Sequence, residues 1–260
     1  MTKILIFFSF LLNLKIIYFL NKKKIKNFFY KSKIQSVELD HIDHIFQNDQ
    51  IDKKLNGPKP EVIVKNFCIQ GNNNIVGMTS DYEAWIISSL SKISNNIFEF
   101  GTCSGKTTYL MALNSPDNAK ITTLTLSPQD LNEIKRNQFD NKVSYRNIIN
   151  ESIYDKFLFS KTKYENKIEV IFQNSLHFNE KLFLNKYDLI FIDGGHTYSI
   201  VKSDSEKSFE MLKSRGIILW HDFVPGKESA KNVVNYINTI SKEKKIFHIN
   251  NTSLCYYRKS

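Results

Sequence analysis

The chain has 260 residues, enough for one substantial hydrophobic core and an α/β domain of roughly 180 residues. Its composition, 42% hydrophobic and 24% charged, excludes a low-complexity or disulfide-scaffold protein. Three cysteines, Cys68, Cys103 and Cys255, lie far apart and lack the spacing of a zinc site, so we expect a reducing compartment and no structural zinc.

The net charge of +10 comes almost wholly from the N-terminal segment. Residues 1–33 hold eight lysines and no acidic residue, so they carry +8 and the remaining chain is close to neutral. Because the basic residues are confined to this segment, the charge gives no reason to expect a nucleic-acid partner for the rest of the chain.

The same segment is apolar over residues 4–20, and lysines 22–24 follow directly. A transmembrane helix here would be short and would carry Lys15 near its middle. A signal peptide would need a small-residue cleavage site, which is missing. An interfacial anchor helix followed by lysines fits anionic lipid and keeps the next domain cytoplasmic. A helix that packs on the protein or on a partner is the alternative to membrane-surface contact through residues 1–33.

Residues 34–78 form an irregular extension in this interpretation. Turn signals occur at 57–60 and 71–74, and the apolar run 62–64 lies between them.

From residue 79 the pattern becomes regular. Ser80 and Glu83 form a capping box that predicts the start of a helix. Five continuous apolar runs of strand length then alternate with helix-length segments, which predicts strands buried on both faces of a parallel, doubly wound sheet. The runs are 97–100, 121–126, 168–172, 189–192 and 217–220. The fold class is therefore α/β, Rossmann-like, over residues 79–260.

The last part of the chain predicts how this sheet ends. A helix is expected at about residues 230–240, and the runs 246–249 and 254–257 are candidate strands that close the sheet with a hairpin. Ligands of such sheets bind at the carboxyl ends of the strands, so we expect the functional residues there.

The loop after the first run, residues 99–105, allows three interpretations. A dinucleotide loop needs a third glycine besides Gly101 and Gly105. A nucleotide-binding P-loop fits Gly105-Lys106-Thr107 but finds Phe100 where its first glycine belongs. The third is the E-x-G-x-x-x-G loop of S-adenosylmethionine enzymes, which begins at Glu99. A glycine turn that only packs a helix on the sheet is the structural alternative.

Two further motifs follow later strands. Asp193-Gly194-Gly195-His196-Thr197-Tyr198 comes after the fourth run, and His221-Asp222 comes after the fifth. With these motifs, residues 79–257 resemble class I O-methyltransferase-like domains of the group called methyltransferase domain twenty-four, which is similar to macrocin-type and catechol-type O-methyltransferases.

The resemblance implies S-adenosylmethionine as cofactor and a role for each matching residue. Residues Glu99, Gly101, Thr102 and Gly105 would hold the methionine and ribose side, Thr125 the ribose, and Asn174 with Ser175 the adenine. Asp193 and Asp222, with His221 as a third ligand or an orienting group, would bind Mg²⁺ or another divalent cation. His196 would be the general base, or a group that orients the aspartates.

The chain also departs from the family pattern. The second run ends in Thr125 and Ser127 instead of an acid, and Gln173 and Asn174 replace the Gly-Asp of the usual triplet. We predict methyl transfer to a hydroxyl of a sugar, another small molecule or a glycan. A P-loop-type nucleotide-binding protein and a non-catalytic, cofactor-binding scaffold are the alternatives. The sequence carries no signal for the oligomeric state.

Overall fold

The computed structural model describes residues 34–47, 61–66, 70–71, 74–75, 79–133, 135–138 and 140–260. Our predictions for residues 1–33 and for the turn at 57–60 therefore lie outside the described residues. Within the described ranges, no helix combines the length and the apolarity needed to cross a bilayer.

From residue 81 onward strands and α-helices alternate, except that only short 3₁₀ turns separate residues 168–172 from residues 187–192 and that the chain ends in two strands. The strands are β1 (Ser36–Val37), β2 (Gln70–Gly71), β3 (Asn74–Ile75), β4 (Asn96–Phe100), β5 (Lys120–Thr125), β6 (Ile168–Phe172), β7 (Tyr187–Ile192), β8 (Leu212–Trp220), β9 (Phe247–Ile249) and β10 (Cys255–Arg258). The α-helices are α1 (Asp81–Lys92), α2 (Lys106–Asn114), α3 (Lys142–Glu151), α4 (Tyr198–Met211) and α5 (Lys231–Ile240).

One eight-stranded sheet has the order β1-β9-β10-β8-β7-β4-β5-β6, and β2 pairs with β3 separately. The five strands from β8 to β6 are parallel, whereas β10 is antiparallel to both of its neighbours. The predicted doubly wound, mostly parallel sheet is confirmed. The closing hairpin is confirmed too, as β9 and β10.

The continuous apolar strands contribute side chains to two hydrophobic clusters, one on each face of the sheet. On β7, Ile190 and Ile192 belong to one buried cluster, while Leu189 and Phe191 belong to another on the opposite face. Helices α4 and α5 pack on the first layer, and α1 and α2 on the second. Because the runs are apolar at successive positions rather than alternate ones, helices can cover both faces of the sheet.

Residues 34–47 pack onto the sheet. Strand β1 pairs in parallel with β9, and the side chains of Ile42 and Phe46 are each only 1% exposed. The Asp43 carboxylate accepts a hydrogen bond from Arg258 at 2.5 Å, which joins this segment to the C-terminal strand. This part of the extension is thus tied to the domain by both burial and charge, while the domain boundaries at residues 33 and 78 stay a prediction.

Replacing Phe46 by alanine tests this attachment. Because the ring is fully buried against α1, we expect Phe46→Ala to lower the free energy of unfolding by about 3–5 kcal/mol. Leu182→Ala, at a side chain that is 76% exposed, is the control and should change it by less than about 0.5 kcal/mol. Urea unfolding of the full chain measures both, and equal midpoints would show that residues 34–47 are not part of the cooperative fold.

Candidate active site

A cleft of about 550 Å³ opens at the carboxyl edge of the parallel strands, and α3 forms one of its walls. Eight predicted site residues line it: Gly101, Thr125, Asn174, Ser175, Asp193, His196, His221 and Asp222. The remaining three, Glu99, Thr102 and Gly105, are buried outside this lining. The structure therefore brings all of the predicted residues to one edge of the sheet, where eight line the cleft and three are buried outside its lining.

The turn after β4 requires its glycines. Gly101 has a φ of +96°, and a Cβ there would lie 2.2 Å from the backbone oxygen of Asp193. Gly105 has a φ of +78°, and a Cβ there would lie 2.8 Å from the ring of Phe159. Because L side chains rarely adopt this conformation and no space exists for them, the turn can pack against the end of β7 at Gly101 and against Phe159 at Gly105 only with glycine at these positions.

The lysine that suggested a P-loop does not line the cleft. Lys106 is 8% exposed, and its ammonium donates a hydrogen bond to the backbone oxygen of Thr79 at 3.1 Å. A P-loop lysine must reach the phosphates of a nucleotide. Since this one already binds a backbone carbonyl, the geometry disfavours the nucleotide-binding alternative.

Glu99 is enclosed by threonine hydroxyl groups. Its carboxylate accepts hydrogen bonds from Thr108 and, at 2.6 Å, from Thr123, whose hydroxyl also pairs with that of Thr102. Burial raises the pKa of Glu99 to about 8, although the two hydroxyl donors act against this rise. Its Oε1 atom is buried and has no hydrogen-bond partner among the described residues. One carboxylate oxygen beneath the glycine turn is thus left to accept a further hydrogen bond.

Asp193 and Asp222 converge because they follow neighbouring parallel strands, β7 and β8. One ligand atom from each of Asp193, His196 and Asp222 lies within 4.8 Å of the other two. The Nε2 atom of His196 is 2.9 Å from a carboxylate oxygen of Asp222. Carboxylate oxygens suit hard divalent cations, and an imidazole in the set extends the range to transition metals.

His221 lies behind this cluster. Its Nδ1 atom is 3.1 Å from Asp193 and 3.4 Å from Asp222, and its Nε2 atom is 3.6 Å from Glu83. Both ring nitrogens are enclosed, and these are ion-pair contacts rather than aligned hydrogen bonds. The geometry therefore favours His196 as the third ligand and His221 as the group that orients the two aspartates.

Asp222 is held in a strained backbone conformation. Its φ is +60°, a left-handed value that costs a residue other than glycine about 1–3 kcal/mol. The flanking backbone fixes it, because His221 N–H donates to Ile192 at 3.0 Å and Phe223 N–H donates to Ser253 at 2.9 Å. Strain of this kind concentrates at functional sites, and here it positions a carboxylate over the cleft.

The charged neighbours of His196 affect its pKa more strongly than burial does. Burial alone would lower its pKa, but the hydrogen bond to Asp222 and the negative charges of Asp222, Glu151 and Asp193 raise it to about 9. Burial would conversely raise the pKa of Asp222, and its contacts with His196 and His221 hold it well below the usual range. In this arrangement His196 is an imidazolium and Asp222 a carboxylate at neutral pH.

The predicted adenine and ribose contacts lie on the far side of the cleft. Thr125 ends β5 and is 7% exposed. The Asn174 side-chain oxygen accepts the N–H of Leu176 at 3.0 Å, which caps a short 3₁₀ turn. The backbone oxygen of Ser175 accepts a hydrogen bond from Lys207. These contacts fix the loop after β6, and an amide oxygen can accept a second hydrogen bond from a ligand.

Two acidic residues lie at the site although the sequence did not predict them there. Glu83, predicted only as a helix cap, also accepts hydrogen bonds from the N–H and hydroxyl of Ser253 at 2.6 and 2.7 Å, beside His221. Glu151 ends α3 and lines the cleft. The only sequence signal for Glu151 was its position three residues after the buried Ile148, on the same helix face.

Comparisons with known proteins agree with this geometry. Residues 98–223, from β4 to just past Asp222, match a family described as a methyltransferase domain. A comparison with curated proteins gives no match.

Three solved structures are similar to the chain, each with a TM-score of 0.50. A protein described as a caffeoyl-CoA O-methyltransferase from Staphylococcus aureus is 20% identical and covers 71% of this chain and 86% of its own. An O-methyltransferase from Bacillus cereus is 15% identical, with coverages of 71% and 84%. One from Klebsiella pneumoniae is 13% identical, with coverages of 71% and 83%. At these identities the likeness shows the fold.

The family match and the strand order define the class of protein. The chain carries a methyltransferase domain, because residues 98–223, just under half of the chain, match that family and the sheet has the Rossmann-like fold of the similar O-methyltransferases. The matched segment contains the D-G-G-H-x-Y and H-D motifs.

Gly101→Ala tests the close approach of the turn to β7. Since the added methyl group would lie 2.2 Å from the Asp193 oxygen, we expect loss of S-adenosylmethionine binding by calorimetry and a melting temperature lower by several degrees. Gly226→Ala is the matched control, because Gly226 also has a positive φ but nothing lies within 4 Å of its added Cβ. A Gly101→Ala variant that binds the cofactor as the native chain does would contradict the proposed packing.

Glu99→Gln tests the buried carboxyl group. The folded-state pKa of Glu99 is raised to about 8, so the folded protein keeps a proton that the unfolded chain loses above about pH 4.5. Stability should therefore fall between about pH 5 and pH 8, by an amount on the order of a few kcal/mol from this group. Glutamine remains neutral and should flatten that slope in urea titrations of the cofactor-free chain, whereas the exposed Glu210→Gln should not. Equal slopes in the native chain and Glu99→Gln would refute the assignment.

Proposed function

We propose that this chain transfers the methyl group of S-adenosylmethionine to a hydroxyl oxygen of a small-molecule or glycan acceptor, with a divalent cation at Asp193, His196 and Asp222. The observation that carries this proposal is the convergence of the two aspartates, from neighbouring strand ends, in the cleft that also contains the Gly101 turn.

The residues around the turn fit the cofactor. Gly101 leaves free the space that a Cβ would fill, and the unpaired Oε1 atom of Glu99 beneath it can accept a hydrogen bond from an ammonium group, directly or through water. We assign the methionine and ribose portions to Glu99, Gly101, Thr102 and Gly105. Thr125 then meets the ribose, and Asn174 with Ser175 meets the adenine. The sulfonium itself activates the methyl group, so the protein has to align it.

The donor set fits a divalent cation. Asp193, His196 and Asp222 offer two carboxylates and one imidazole, and His221 keeps both carboxylates in place from behind. Such an ion lowers the pKa of a hydroxyl bound to it and fixes that hydroxyl's direction.

His196 can act in two ways. While its imidazolium is paired with Asp222 it cannot accept a proton, and it only orients that carboxylate. If a cation held by Asp193 and Asp222 neutralised their charges, the main cause of the raised pKa would be removed. A neutral imidazole could then either bind that cation as the third ligand or, left unbound, take the proton of the acceptor hydroxyl. The role of His196 as a base therefore depends on the state of the two aspartates.

The cleft suits an acceptor of modest size. Its volume of about 550 Å³ lies within the range of small-molecule sites. Its outer wall is polar, with Asn147 and Glu151 from α3 and Lys227 and Ser229 from the loop after β8. A sugar hydroxyl fits such a lining. We retain a cytoplasmic location and membrane-surface contact through residues 1–33 as part of the proposal, on the basis of the lysine-rich segment.

Calorimetry and a methyl-transfer assay test the proposal together. We expect the full chain to bind S-adenosylmethionine but not ATP–Mg²⁺, and to methylate a member of a panel of a catechol, a hexose and a glycan in the presence of Mg²⁺ or Mn²⁺. Asp193→Asn and Asp222→Asn should reduce transfer by about 100-fold or more, since each removes charge from the reacting centre. Asp117→Asn, at an exposed turn, is the control.

Each contrary result has a distinct meaning. Binding of ATP–Mg²⁺ without S-adenosylmethionine would overturn the proposal in favour of a nucleotide-binding protein. Binding of S-adenosylmethionine without transfer to any acceptor, in native and variant chains alike, would identify a scaffold on the methyltransferase fold.

A further inference from the structure

Within the described part of the chain, Glu151 differs from the other acids around the cleft in having no hydrogen-bond or ion-pair partner. Asp222 contacts His196, Glu99 accepts from threonines, and Asp140 accepts from Ser199 at 3.1 Å. Among the described residues, by contrast, no hydrogen bond or ion pair reaches the Glu151 carboxylate, although burial raises its pKa to about 7. The side chain is partly exposed to the cleft, and a carboxylate that has lost part of its hydration without gaining a protein partner is available to a ligand.

The position of Glu151 is fixed by the packing of α3. Ile148, one turn earlier, lies directly on the glycine turn after β7, since a Cβ added at Gly195 would be 3.1 Å from it. On the other side, the Ser144 hydroxyl donates to the backbone oxygen of Ser229 at 3.1 Å. The helix is therefore held on two sides, and the carboxylate of Glu151 lines the cleft from a rigid element.

The surroundings of Glu151 place it on the acceptor side of the cleft. Its charge interacts with those of His196, Asp193, Asp222 and His221, the cluster at which methyl transfer is proposed. The residues assigned to ribose and adenine follow β5 and β6 instead. It is not part of the three-residue set that can hold a cation.

We propose that Glu151 is the acceptor-binding residue, and that the acceptor presents to it a hydrogen-bond donor, a second hydroxyl or an amino group, next to the hydroxyl that is methylated. This inference rests on the proposed function. It assigns the acceptor to the hydroxyl-rich or ammonium-bearing molecules and excludes those with a carboxylate or phosphate at that position, because like charges in a partly desolvated site repel each other strongly.

Three matched sugars test the inference by calorimetry on the full chain loaded with S-adenosylhomocysteine. Glucose, glucosamine and glucuronate present a hydroxyl, an ammonium group and a carboxylate on the same ring. We expect glucosamine to bind at least about tenfold more tightly than glucuronate, with glucose between them. In Glu151→Gln the difference between glucosamine and glucuronate should shrink to about twofold or less, because the charge that sets the preference is gone.

Two controls accompany the measurement. Glu206→Gln, at an exposed glutamate that pairs with Lys202 away from the cleft, should keep the native preference. Glu151→Ala should lose this preference as Glu151→Gln does. It replaces Glu151→Gln in the test if that variant fails to fold.

The outcomes separate the two proposals. If S-adenosylhomocysteine does not bind, the proposed function fails. If it binds but glucuronate is held as tightly as glucosamine, if the ranking survives the loss of the Glu151 charge, or if none of the three sugars binds, this inference alone is overturned.

Discussion

The carboxyl ends of β4 and β7 meet so closely that no side chain fits between them. The N–H of Asp193 donates to the backbone oxygen of Phe100 at 2.9 Å, and the missing side chain of Gly101 leaves room for the Asp193 carbonyl. This contact places the proposed cofactor-binding loop directly beside Asp193, the first aspartate of the proposed metal site. Strand β8 then adds Asp222 next to Asp193, so the proposed cofactor loop and the proposed metal site share one edge of the sheet.

The charges at this edge come close to balance, and that balance explains how acids remain ionised in a partly buried cleft. Two imidazoles lie among three carboxylates: His196 pairs with Asp222, while His221 lies between Asp193, Asp222 and Glu83. Burying an unpaired charge costs several kcal/mol, and pairing offsets much of that cost. These three carboxylates exceed the two imidazoles by one negative charge, before that of Glu151 is counted, which accords with the proposed cation.

The sequence predicted the parts of the structure that depend on short-range patterns and on parallel pairing. Apolar runs without alternation predicted strands covered on both faces, and the runs coincide with β4 to β8 to within a few residues. The convergence of Asp193 and Asp222 followed from the rule that neighbouring parallel strands end at the same edge. No long-range contact had to be guessed for these inferences.

Other parts of the site depend on contacts that leave no local pattern. Glu83 satisfies its own helix cap and also binds Ser253, which is 170 residues away in the chain. The threonines around Glu99 come from three different parts of the chain, and none of them lies in a local sequence pattern that predicts the contact. The position of α3, and with it Glu151, follows from the packing of Ile148 on the turn after β7, which sequence spacing does not reveal.

The end of β5, which lacks the acid, offers a hydroxyl instead. The hydroxyl of Thr123 is used by Glu99, and Thr125 lines the cleft between the apolar Leu124 and Leu126. A neutral hydroxyl binds a ribose with about half the strength of a charge-assisted hydrogen bond. In the proposed binding mode, the methionine end of the cofactor, at the turn of Gly101 and the unpaired oxygen of Glu99, therefore has to supply more of the binding free energy. The backbone is also constrained at that end, because the turn at Gly101 packs against the end of β7 with no space for a side chain.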